Sequence, residues 1–242
     1  MTSIQCLLAS VALVMVLLSG CSSPHGRPRR GSETPAPAEV LEFGNLYADN
    51  CAGCHGADGQ GGAAIALADP VYQGIADEAV MRKTIANGVS GTSMPAFAQS
   101  AGGTLTDKQI DVITGGMRLR WLRPGFLDGA NPPPYAQERN GDVHQGEVAF
   151  KAYCELCHGP EGKGSQKGSA ITSDSFLALV SNQGLRTIVI AGRPELGAPD
   201  WRGNVPGKPM SAQDVSDVVT WLVSRRVQNS RQPYLFSDLK PH

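Results

Sequence analysis

Aromatic residues are scarce: six Phe, five Tyr and three Trp make up 6% of the 242 residues. So few large rings cannot fill two ordinary small cores. The 29 glycines point instead to loop-rich units built around something other than side chains. Neither sign of charge is in excess, with 21 Lys and Arg against 22 Asp and Glu, net −1. That excludes the basic footprint of a nucleic-acid partner. Hydrophobic residues at 41% exclude a disordered chain. No comfortable membrane span is present either: LLASVALVMVLL, residues 7–18, is too short for one. At this position it reads as the apolar region of an export signal, although Met1–Gln5 carries no Lys or Arg.

Spare cysteine is also missing. Of six, Cys6 lies in the signal, and Cys21 ends LSGC, which resembles a bacterial lipobox whose Cys becomes lipidated. The other four, Cys51, Cys54, Cys154 and Cys157, all sit in two Cys-x-x-Cys-His motifs, so none is left for a structural disulfide. The expected product is exported and lipid-anchored to a bacterial membrane, facing the periplasm or the cell exterior. Residues 22–38, rich in Pro, Ser and Gly, read as a flexible tether.

What the sequence does have is a repeat. CAGCHGADGQGG begins at Cys51 and CELCHGPEGKGS at Cys154. Each motif follows a short amphipathic stretch, 40–50 and 145–153, and each repeat ends in a helix with readable start signals. Thr106 and Ser211 are N-cap candidates with Gln109 and Asp214 three residues on; Leu105/Ile110 and Met210/Val215 fit hydrophobic staples. Gly115 and Gly116 weaken the first of these helices and leave room for a close helix crossing. Three consecutive prolines exclude a helix from the segment between the repeats. The expected organisation is a signal at 1–20, lipidated Cys and tether at 21–38, a domain at 39–123, a Pro-rich linker at 124–142, a domain at 143–229 and a tail at 230–242.

Two thiols three residues apart with an imidazole next to the second suit covalent attachment of haem, the thiols adding to its vinyl groups and the His lying beneath the iron. A four-cysteine zinc site would bring the pairs closer than 103 residues, and a thioredoxin-like pair would need a βαβ pattern that is absent. On these motifs both halves, 40–123 and 143–228, resemble class I cytochrome c domains. The resemblance implies an all-α fold of two tandem domains, each wrapped around one covalently bound haem c. It also implies Cys51, Cys54 and His55 on the first haem and Cys154, Cys157 and His158 on the second.

The resemblance further implies a distal Met in a loop before the last helix. In the first repeat Met94-Pro95 fits, while Met81 and Met117 fall in helical stretches and read as core. In the second, aligning Ile85-Ala86-Asn87-Gly88 with Ile190-Ala191-Gly192 places Ala198-Pro199 at that point, and alanine cannot bind iron. Met210 has two readings, a displaced axial ligand or the staple residue in the slot of Leu105; His144 and Lys208 are further conceivable ligands. Trp201 and Arg202 could donate to haem propionates. Charge differs between the halves, net −3 over 39–123 and +1 over 143–229, and Lys163 and Lys167 could steer an acidic redox partner.

The expected function is therefore single-electron transfer by a membrane-anchored dihaem c-type cytochrome in a respiratory or photosynthetic chain, not catalysis. Its partners would be redox proteins: a donor complex, and an oxidase, reductase or reaction centre. The alternative is a haem enzyme or gas binder, peroxidase-like, using an open site on the second iron.

Overall fold

A computed structural model describes residues 35–227 of the chain. The lipobox Cys21, most of the tether and the tail at 230–242 lie outside the described residues. The chain divides into two units, Met1–Glu39 and Val40–His242. The described part of the first holds a single 3-10 turn, Pro37–Glu39. The second holds both repeats, and helix is its regular structure; among the described residues there is no strand, only two isolated bridges.

In the first repeat α1 (Phe43–Asn50) leads into the short α2 (Ala52–His55), then α3 (Pro70–Ile75), α4 (Glu78–Asn87) and α5 (Asp107–Trp121). The second repeats the plan with α6 (Val143–Tyr153), α7 (Glu155–His158), α8 (Asp174–Leu179), α9 (Asn182–Ala191) and α10 (Ala212–Ser224). Local chemistry sets the boundaries. Asp77 accepts from Val80 N at 2.7 Å to start α4, and Gly88 ends it. Thr106/Gln109 and Ser211/Asp214 both form complete reciprocal capping boxes, each satisfying two donors at the helix start that have no intrahelical acceptor.

Each core forms where the N-terminal helix of a repeat crosses its last helix. In the first, Phe43, Leu46 and Tyr47 of α1 bury against Ile110, Ile113 and Met117 of α5, and the Phe43, Tyr47 and Trp121 rings lie 5.2–5.8 Å apart. In the second, Phe150 of α6 stacks on Trp221 of α10 at 4.3 Å. The two crossings exchange their large and small partners. Eight residues before Cys51 and Cys154 stand Phe43 and Gly146; ten residues after the N-caps Thr106 and Ser211 stand Gly116 and Trp221. A Cβ on Gly116 would lie 2.6 Å from Phe43 Cγ, and one on Gly146 would lie 2.6 Å from Trp221 Cβ. The close crossing anticipated at Gly115 and Gly116 is thus made by Gly116; Gly115 would meet only Glu78 Oε1, at 4.0 Å.

The segment between the repeats contains no helix and is held in place by α9. Arg186, buried and with its charge disfavoured by that burial, donates to Pro134 O at 2.8 Å, Tyr135 O at 3.1 Å and Ser216 Oγ at 3.1 Å. Gln183 adds a bond to Tyr135 O at 2.9 Å.

Candidate haem sites

Both Cys-x-x-Cys-His segments fold into the same tight turn. The N-terminal helix stops at the first Cys, and one short helix carries the second Cys and the His. His55 N donates to Cys51 O and His158 N to Cys154 O, each at 2.9 Å. Gly56 (φ 83°) and Gly159 (φ 72°) then turn the chain through the left-handed region, where side chains are strained. Space is closed as well: a Cβ on Gly56 would lie 2.5 Å from Gly61 O.

The imidazoles are held alike. His55 Nδ1 lies 2.9 Å from Ile65 O, and His158 Nδ1 lies 2.8 Å from Ser169 O. A carbonyl oxygen only accepts, so Nδ1 carries the proton and Nε2 keeps its lone pair for a metal. Burial holds His55 below the ordinary imidazole value against the Ile65 hydrogen bond, and the Arg193 charge adds to the lowering. The thiol of Cys51 is pushed up to about 11 and that of Cys154 to about 12, in each case by burial and then by the neighbouring Cys54 or Cys157. Such thiols are not ready thiolate ligands or redox nucleophiles. None of the four cysteines is in a disulfide, and no group of three or more His, Cys, Asp or Glu able to hold a metal ion occurs among the described residues. One imidazole with two adjacent thiols fits a metal brought by a macrocycle that bonds the sulfurs, as in haem c.

The distal loops share several backbone hydrogen bonds and differ in side chain. Val89 N donates to Met94 O, and Arg193 N to Ala198 O, both at 3.0 Å. A Cβ on Gly88 would lie 2.7 Å from Met94 O, and one on Gly192 would lie 2.7 Å from Ala198 O. Phe97 N bonds Ile85 O and Trp201 N bonds Ile190 O. Ala198 therefore stands in the place of Met94. The match continues to the last helix, where Leu105 N donates to Phe97 O and Met210 N to Trp201 O. Met210 is 3% exposed and Leu105 5%, both within the core, whereas Met94 is only partly covered by protein. Met81 and Met117 are core residues, as expected.

Other candidates are placed differently. His144 is exposed in the first turn of α6, and Lys208 sits with Nζ 5.5 Å over the Tyr153 ring. Arg202 binds the Asp200 carboxylate at 2.6 Å and stacks 4.6 Å over the Trp201 ring. Lys163 pairs with Glu161 at 2.5 Å, and Lys167 is exposed.

A contact that sequence reasoning did not find joins the two sites. Arg193, in the distal loop of the second repeat, donates from Nη2 to Gly62 O at 2.8 Å and pairs with Glu195. Gly62 follows Gly61, whose N donates to His55 O at 2.8 Å. No periodicity marks a pair 131 residues apart; the nearest signal is a charged residue in the slot that Val89 fills in the first repeat.

The profile of the family described as cytochrome c oxidase, cbb3-type, subunit III, matches residues 38–114 and 141–222. Among curated proteins, a cbb3-type cytochrome c oxidase subunit CcoP of Azospirillum sp. (strain B510) is 32% identical over 132 residues, which are 50% of this chain and 40% of the relative. The chain thus matches well under half of that relative's length. Among solved structures, a chain of the Kuenenia stuttgartiensis reducing HAO-like protein complex aligns over 80% of this chain and 100% of its own, at 19% identity and TM-score 0.43.

Proposed function

Because the chain belongs to the cytochrome c oxidase, cbb3-type, subunit III family, a tandem class I cytochrome c with two covalently bound haem c groups that serves electron transfer, we propose that it is a membrane-tethered relay of single electrons. In this reading Cys51 and Cys54 attach the first haem and Cys154 and Cys157 the second. His55 and His158 ligate the two irons, and the Met94 thioether completes the first. Haem iron supplies a reversible one-electron couple, and thioether ligation favours its ferrous form.

The chain's own residues hold and orient. The observation that carries the reading is the repeated turn in which a carbonyl, Ile65 O or Ser169 O, fixes the Nδ1 proton and aims Nε2. The Arg193–Gly62 contact supports exchange of electrons between the two haems within one molecule, because it ties the attachment loop of the first to the distal loop of the second.

Tethering rests on the sequence: LSGC follows the apolar run at 7–18, so Cys21 takes the lipid. No helix among the described residues is long and apolar enough to cross a membrane. The partners are redox proteins, and likeness to an oxidase subunit favours an oxidase as acceptor.

Intact mass and pyridine haemochrome analysis test the haem assignments. The protein yields two haems per chain, and Cys51→Ser with Cys54→Ser leaves one. A doubly substituted chain that keeps both overturns the assignment. Cys21→Ser moves the protein from the membrane to the soluble fraction; unchanged fractionation overturns the tether.

A further inference from the structure

The two repeats carry the same proximal machinery and different distal residues. Alanine lacks the three heavy atoms, Cγ, Sδ and Cε, through which methionine reaches a metal. Shared backbone bonds carry the equivalence: Val89 N to Met94 O and Arg193 N to Ala198 O are both 3.0 Å, and a Cβ on Gly88 or Gly192 would lie the same 2.7 Å from the Met94 or Ala198 carbonyl oxygen. Met210, the sole methionine of the second repeat, is built into the core in the position of Leu105. Its sulfur lies 3.7 Å from Asn204 Nδ2, and protein covers all but 3% of it. His144 is exposed at the start of α6, remote in the chain from the loop, and Lys208, further along the segment that leads to α10, holds its Nζ 5.5 Å over the Tyr153 ring. The loop carrying Ala198 is open on its outer side, with Leu196 72% exposed and nothing within 4 Å of a Cβ built on Gly197.

We propose that the second iron has no side-chain ligand on its distal face and binds an exogenous diatomic ligand there, beside Ala198. The ligand class is a small neutral π-acceptor, such as carbon monoxide or nitric oxide, which coordinates ferrous iron through its lone pair. Binding breaks no covalent bond and transfers no electron. The first repeat, whose attachment loop is bonded to Arg193 at the start of this same distal loop, stands next to the site as its source of reducing equivalents. The inference rests on the dihaem reading, and the test separates the two.

The experiment uses the purified holoprotein with its haem content fixed first by pyridine haemochrome. Fewer than two haems per chain sinks the dihaem reading before ligand binding is measured. With two haems present, the oxidised protein shows one low-spin and one high-spin signal by electron paramagnetic resonance, and the reduced protein titrates with one carbon monoxide per chain. Met210→Leu leaves both results unchanged. Ala198→Met converts the second haem to low spin. If its thioether leaves the iron free about a tenth of the time, the apparent dissociation constant for carbon monoxide rises about tenfold. Two low-spin haems and no carbon monoxide uptake in the unaltered protein overturn the proposal. So does a Met210→Leu protein that gains a high-spin haem.

Discussion

Gly146→Ala tests the helix crossing that builds the second repeat. Alanine has the higher helix propensity, by about 1 kcal/mol, so propensity alone raises stability. The crossing opposes this. The new methyl carbon would lie 2.6 Å from Trp221 Cβ and 2.7 Å from the Asp217 carbonyl carbon. Carbon atoms pack best at about 3.5–4.0 Å. The obstructing atoms are backbone and a Cβ, which have no free end to swing aside. Relief therefore requires α6 and α10 to separate by about 1 Å, and a gap of that size forfeits about a quarter to a half of each affected contact. The Phe150–Trp221 stack at 4.3 Å lies on the seam. Overpacking of this kind costs about 1–3 kcal/mol, enough to reverse the propensity gain. Gly44→Ala is the control: it lies in α1 with nothing within 4 Å of its Cβ position, so only propensity acts there. Guanidinium unfolding of the holoprotein, followed by far-ultraviolet circular dichroism, reads both. Gly146→Ala lowers the midpoint and Gly44→Ala holds or raises it. A Gly146→Ala midpoint raised as far as that of Gly44→Ala would refute the account of the crossing.

On the proposed ligation Met94→Ala removes the thioether from the first iron, so one low-spin haem becomes high spin in the optical spectrum; no change at either haem rules Met94 out. Arg193→Gln deletes the charge beside His55 and the bond to Gly62. Losing a nearby positive charge favours ferric iron, so the midpoint potential of the first haem falls in spectroelectrochemistry, and an unmoved potential contradicts the contact. Arg186→Met leaves Pro134 O and Ser216 Oγ without their donor and Tyr135 O with Gln183 alone, costing about 1–3 kcal/mol. Limited proteolysis across residues 130–140 then quickens, and an unchanged cleavage rate removes Arg186 as the clamp on this segment.

Features set by neighbours along the chain were legible in the sequence. The boxes at Thr106/Gln109 and Ser211/Asp214 depend on residues within one turn, so the residue types sufficed. The Met94–Ala198 equivalence was also legible, because both stand the same way after a repeated Ile-Ala and a helix-ending Gly. Contacts between distant segments were not. Arg193 reaches Gly62 and Arg186 reaches Pro134 through folding geometry that leaves no periodic trace. Gly116 drew notice as one of a weak glycine pair in a helix, while Gly146, alone in an otherwise regular amphipathic stretch, did not, although both make the same kind of crossing.

The exchange of Phe43/Gly116 for Gly146/Trp221 also bears on how the chain avoids misfolding. Two similar repeats in one polypeptide invite the first helix of one to dock on the last helix of the other. Here the wrong pairings do not fit: α1 on α10 sets Phe43 against Trp221, two large rings in one space, and α6 on α5 sets Gly146 against Gly116, leaving a hole. Each mismatch is penalised, by overpacking in one case and by a cavity in the other. The duplicated domains thus carry unlike keys at the joint where mistaken identity would do most harm, and each repeat selects its own closing helix during folding.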